Sequence, residues 1–158
     1  MNEQNETGCC PKFNPEPWQE KEITFKDKLF LKDSVRSIFH IPINFGSVMV
    51  RSMDKINKAN ALPPEVLTLS DEKSMWKSDL YIAVTKEVPE ADMVKISGTY
   101  LTKAFEGSYS STSKWIREMR NFVKAKGKEV KKLLFYYTTC PKCAKVYGEN
   151  YTVILAEV

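Results

Sequence analysis

Apolar and polar positions change period several times along this chain, and each change marks an element. Val35 to Ile43 is rich in β-formers and reads as a strand, which Pro42 confines to an edge or ends. From about Ser47 to Ala59 the period becomes helical. Met49, Met53, Ile56 and Asn60 recur at helical spacing, with Arg51, Lys55 and Lys58 on the other face, until Pro63-Pro64 stops any continuation. Val66 to Leu69 and Leu80 to Val84 return to a strand pattern, joined by a polar loop that holds Trp76. The order then repeats. Val94 to Phe105 predicts a long strand, with Gly98 as a bulge. Ser110 to Ser113 offer helix caps, and Trp115, Ile116, Met119, Phe122 and Val123 form an apolar stripe that Gly127 ends. Leu133 to Thr138 and Tyr151 to Glu157 read as the closing strands.

The repeated order has a counterpart in the residues. Tyr81 to Val88 and Tyr151 to Val158 share Tyr, Val/Ile, Glu and Val at the same spacing. Upstream, Phe45-Gly46-Ser47 opens one helical stretch, and Phe105-Glu106-Gly107-Ser108 runs into the other. The glycines stand 61 residues apart and the tyrosines 70, and the surplus falls around Cys140-Pro-Lys-Cys143. Two modules of strand–helix–strand–strand are therefore expected, residues 35–88 and 94–158, in an α+β domain with a mostly antiparallel sheet and the helices on one face. Residues 1–34 read as an N-terminal arm packed on the body. Pro11, Pro15 and Pro17 keep its start extended, while Phe13 and Trp18 give it something to bury. Ile23 to Phe25 and Leu29 to Leu31 predict a small hairpin or one irregular strand.

Composition narrows the function classes. Hydrophobic residues make up 42% of the 158, enough for an ordered globule, and no apolar run is long enough to span a bilayer. The polar, acidic start is unlike a secretory signal, which makes the cytoplasm the expected compartment. The net charge of +4 is uneven, with five acids against two lysines over residues 1–22. Lys124, Lys126, Lys128, Lys131 and Lys132 sit around a helix end, where cations are favourable. With arginine scarce and no nucleic-acid motif, a nucleic-acid partner is not expected.

The tandem module, the stretch Phe105-Glu-Gly-Ser-Tyr109 before the second helix, and Tyr137-Thr-Thr-Cys-Pro141 before the last strand resemble GyrI-like proteins, which share the fold of the BmrR effector domain. The resemblance covers roughly residues 35–158. It implies a small-molecule-binding fold with a ligand cleft between the modules, on the sheet face away from the helices. Members commonly carry a glutamate two residues before the tyrosine of the Tyr-x-x-x-Pro stretch, and Phe135 stands there in this chain. The resemblance thus implies a stand-alone binder of a small hydrophobic or aromatic molecule. A hydrolase of a reactive small molecule is the alternative, and a gyrase-inhibitor-like module with a protein partner is a third.

Several residues are candidates for that chemistry. The aromatic residues Phe39, Trp76, Tyr81, Tyr100, Tyr109, Tyr137 and Tyr151 stand on strands and their loops and suit a planar or apolar ligand. His40, the only histidine, is a further ligand-site candidate, with a structural role as its alternative. Tyr136 and Tyr137 must point to opposite sides of a sheet. Glu106, at a strand–helix junction, and Glu157, on the last strand, are the candidate acid–base groups, with solvated edge positions as the plainer reading. Cys9, Cys10, Cys140 and Cys143 supply the four thiolates that a structural zinc requires. A redox dithiol and inert buried thiols are the alternatives.

Overall fold

The computed structural model describes residues 13–38, 41–64, 66–72, 76–138 and 146–158. Phe39, His40 and the four cysteines lie outside the described residues, as does the side chain of Tyr109. The chain forms two compact units, one from residues 25–98 and the other from residues 99–158 together with the N-terminal segment up to Thr24.

The first unit is built on β1 (Lys21–Ile38), β2 (Ile41–Pro42), α1 (Phe45–Lys58), β3 (Thr68–Glu72) and β4 (Lys77–Ala83). Its strands are antiparallel in the order β2-β1-β4-β3. Ile23 to Phe25 and Leu29 to Leu31 belong to one strand rather than a hairpin. Asp27 takes a positive φ of 49° within it, and its amide donates to Ser97 Oγ at 2.9 Å. A local irregularity of this kind lets a single strand of 18 residues bend. On α1, Val48, Ser52 and Ile56 recur every four residues and are buried. Leu31, Val35, Leu80 and Ile82 meet this stripe from the strands.

The second unit contains β5 (Asp92–Glu106), whose first residues belong to the first unit, then α2 (Thr112–Ala125), β6 (Lys132–Tyr137) and β7 (Tyr151–Glu157). Both strand pairs are antiparallel, in the order β6-β7-β5. Trp115, Met119 and Val123 of α2 pack on Leu101, Phe105, Phe135, Ile154 and Ala156. Met119 and Val123 are fully buried, and such side chains contribute about 1.5–3 kcal/mol each. Ser111 occupies the N-cap position but makes no capping bond through its side chain. Gly107 turns the chain out of β5 with φ at +135°, where its Cα hydrogen faces the Trp115 ring and an L side chain would be strained. Its amide donates to the Asn150 carbonyl at 2.9 Å, and Asn150 Nδ2 donates back at 2.8 Å.

The fold is α+β; the first unit runs strand, short strand, helix, strand, strand, and the second strand, helix, strand, strand. The residue-level matches do not keep the same place within those elements. Gly46 is the second residue of α1, whereas Gly107 precedes α2 by five positions. Tyr81 is the fifth residue of β4, whereas Tyr151 begins β7. Among the described residues, no helix is long and apolar enough to cross a membrane.

Candidate functional site

Strand alternation divides the side chains of each unit between a face covered by a helix and a face without one. In the second unit, Phe135, Leu133 and Tyr137 of β6 look toward α2. Leu134 and Tyr136 therefore look away from it. On β7, Ile154 and Ala156 face the helix, so Tyr151, Val153, Leu155 and Glu157 point to the other side. On β5 the same alternation sends Tyr100, Thr102, Ala104 and Glu106 there.

That helix-free face is aromatic. Phe13 meets Tyr136 edge-on with ring centroids 5.9 Å apart, and it lies 5.7 Å from Tyr151. Trp18 meets Tyr136 at 5.5 Å, also edge-on. Glu106 and Tyr151 are direct partners across the β5–β7 pair, a placement that brings Cβ atoms to about 4.5–5.5 Å. Burial pushes the Tyr151 phenol above its ordinary value, and the charges of Glu149 and Glu106 push the same way. A carboxylate beside a tyrosine that keeps its proton is an arrangement capable of general acid–base work.

Glu157 sits at the far end of the same ladder, opposite Tyr100 on one side and Lys132 on the other. Tyr151 and Glu157 are six residues apart along β7, roughly 20 Å at strand spacing. Glu106 and Glu157 share a face but not a site.

The first unit has its own polar cluster on its helix-free face. Asp71 of β3 and Asp79 of β4 are direct cross-strand partners, with only 7% and 5% of their surface exposed. Lys32 Nζ lies 3.8 Å from Asp79 Oδ2. Tyr81 is on the same face, edge-on to Phe30 at 6.4 Å. Sequence reading passed over this acid pair. Its signal was Ser70-Asp71 in one strand and Ser78-Asp79 in the next, an aspartate placed inward twice where alternation predicts apolar residues.

On the helix side of the first unit, a cavity of about 270 Å³ is lined by Asp33, Arg51, Lys55 and Glu90 to Asp92, among others. Arg51 Nε donates to Asp33 Oδ2 at 2.9 Å, its Nη2 donates to the other oxygen, and Ser52 Oγ donates to Oδ2 at 3.0 Å. Burial raises the Asp33 carboxyl, but the hydrogen bonds from Arg51, the Ser34 amide and Ser52, with the charge of Arg51, outweigh it and hold the group below its ordinary value. Lys55 Nζ donates to the Glu90 carbonyl at 3.0 Å. These groups serve one another and tie α1 to β1.

The structure therefore brings Glu106 and Tyr151 together and places Glu157 with Tyr100 elsewhere. Tyr137 stacks on Phe135 at 6.3 Å on the helix side, so Tyr136 is the member of the pair that faces away. Trp76 is 53% exposed in the first unit, and its carbonyl accepts from the Ser37 amide. Among the described residues, no group of three or more His, Cys, Asp or Glu is arranged to hold a metal ion.

The fold is that of the GyrI-like domains of the BmrR effector type. Solved structures that share it include the EcmrR C-terminal domain, at 14% identity and a TM-score of 0.58, covering 89% of this chain and 96% of that one. SAV2435 bound to tetraphenylphosphonium is similar at 11% identity and a TM-score of 0.52, covering 87% of this chain and 92% of that one. A hydrolase encoded by lin2189 from Listeria innocua is similar at 11% identity and a TM-score of 0.59, covering 89% of this chain and 92% of its own. These identities speak to fold alone. The chain itself belongs to the family described as Bacterial hydrolase, which it matches over residues 1–158. No curated protein matches it.

Proposed function

We propose that this protein binds a small aromatic or apolar molecule on the helix-free face of its second unit. One observation carries the reading: Tyr136 and Tyr151 present their rings on a sheet face without an α-helix, where edge-on and tilted aromatic contacts are already being made. Rings of this kind favour further aromatic partners in the same geometry, and a few tyrosine hydroxyls among apolar groups are what small-ligand sites use for orientation. The fold shared with SAV2435, whose bound ligand is tetraphenylphosphonium, supports the same choice. The test is calorimetric titration of the full chain with tetraphenylphosphonium and with an uncharged planar dye. Tyr136→Ala and Tyr151→Ala should each weaken binding on the order of tenfold, the effect of one lost aromatic pair. Equal affinity in both variants would reject this face.

Hydrolysis of the bound molecule is the second reading, favoured by the family and by the placement of Glu106 opposite Tyr151. In it Glu106 takes a proton from the attacking water, and the Tyr151 hydroxyl donates one to the leaving oxygen. Release of a chromogenic alcohol from a panel of aryl esters, above the buffer rate, is the measurement.

A further inference from the structure

The geometry points to residues 13–20 as a strap that occupies the ligand face, so that strap and ligand compete for the rings of Tyr136 and Tyr151. This deepens the binding function proposed above and rests on it. The segment reaches the face alongside β5. The Ala104 amide donates to Gln19 Oε1 at 3.0 Å, and the Thr102 hydroxyl donates to the Trp18 carbonyl at 2.8 Å. From there Trp18 lies against Tyr136, and Phe13 spans Tyr136 and Tyr151. Thr102 is fully buried in this arrangement.

The strap's own structure is slight. Its single turn, Glu16–Trp18, contains no buried residue, and the ion pair from Glu20 to Lys103 at 3.9 Å joins a glutamate side chain that is 57% exposed. Such a pair contributes little. Segments with few buried contacts open well below the free energy of global unfolding. Phe13 and Trp18 thus stand where an aromatic ligand would stand, both edge-on to Tyr136, with Phe13 also tilted against Tyr151. A ligand that needs those rings binds only molecules whose strap has lifted, and its apparent affinity falls by that fraction. Removing the strap's rings frees the face and leaves Tyr136 and Tyr151 in place. If the strap were instead a fixed wall of the site, the same removal would cost affinity.

The experiment compares wild type, the Phe13→Ala/Trp18→Ala double variant and Gln19→Ala, which loosens the strap without altering any ring. Each full-length protein is titrated with tetraphenylphosphonium and with an uncharged planar dye by calorimetry. In parallel, the fluorine spectrum of fluorotryptophan-labelled wild type is followed, with the Trp18 signal assigned by its loss in Trp18→Phe. We expect affinity to rise on the order of tenfold in the double variant and by less in Gln19→Ala. The Trp18 signal should move to a solvent-exposed position as ligand saturates. Wild-type binding with equal or weaker binding in both variants, or a Trp18 signal unmoved at saturation, overturns the strap and leaves the binding face standing. Absence of binding in wild type and in both opened variants overturns the strap and the binding face together.

Discussion

Asp71 and Asp79 face each other across the β3–β4 pair, both buried, with Lys32 3.8 Å from Asp79. Like charges directly opposite on one sheet face are destabilising, by roughly 0.2–1 kcal/mol. Asp71→Asn keeps the shape and removes one charge. It should raise the melting temperature by about 1–3 °C for a chain of this size, read by calorimetry or dichroism. A lower melting temperature would show that the carboxylate stabilises the sheet.

The Tyr151 phenol should titrate above the ordinary tyrosine value of 10.0, because burial and the charges of Glu149 and Glu106 all favour its neutral form. A raised value in the folded state means that stability is retained below the ordinary value and declines as pH climbs through the folded one. Glu106→Gln removes one of the two charges and should lower the Tyr151 value, followed by ultraviolet difference absorbance against Tyr151→Phe. Should hydrolysis be detected, the same variant should reduce turnover by about 10²–10⁴-fold with the fold intact. Unchanged titration and unchanged turnover would remove Glu106 from the site.

The element types were legible because their periods are clean. The Trp115, Met119, Val123 stripe marks α2, and Val153 to Ala156 is a short unbroken apolar run of the length of a buried strand. The length of β1 was not legible, because Asp27 carries the kink in a position that reads as a turn. Adjacent Tyr136 and Tyr137 had to point opposite ways, but which one faces α2 depends on register with β7, a long-range pairing that local spacing does not encode. That Asp71 pairs with Asp79 likewise depends on strand register, although the two Ser-Asp steps themselves stand in the sequence. Phe13 and Trp18 gave a proline-rich segment two rings to pack, and both are half-buried in the structure. Their partners, 118 or more residues away, lay beyond any local signal.

The zinc reading of Cys9, Cys10, Cys140 and Cys143 falls outside the described residues and stands as a proposal from composition. Protein prepared without chelator should carry close to one equivalent of zinc, bound tetrahedrally by four thiolates. Elemental analysis of wild type and Cys140→Ser gives the readout. Four free thiols in a native titration, with no zinc, would leave the cysteines as ordinary residues.

Arg51 and Asp33 set an acid limit on the first unit. The Arg51 guanidinium holds both carboxylate oxygens of Asp33, and Ser52 adds a third hydrogen bond, so α1 is fastened to β1 through one side chain. Asp33 is held below its ordinary value of 3.8 despite partial burial, and Arg51 is the largest of the groups that hold it there. A depressed carboxylate contributes stability above its unfolded-state value, and that contribution is lost as pH falls through the folded one. The Arg51 side chain is 54% exposed, so solvent screens the pair and its worth is about 0.5–1 kcal/mol. Arg51→Ala should therefore lower stability by that amount at pH 7, measured by urea unfolding, and the gap to wild type should narrow as pH falls from the ordinary value of 3.8 through the lower folded-state one, and close once the carboxyl is protonated in both states. Arg51→Lys keeps the charge but cannot form the two-pronged contact, and it should recover only part of the loss. A gap that persists unchanged in acid would mean that Arg51 stabilises α1 through its aliphatic stem rather than through Asp33.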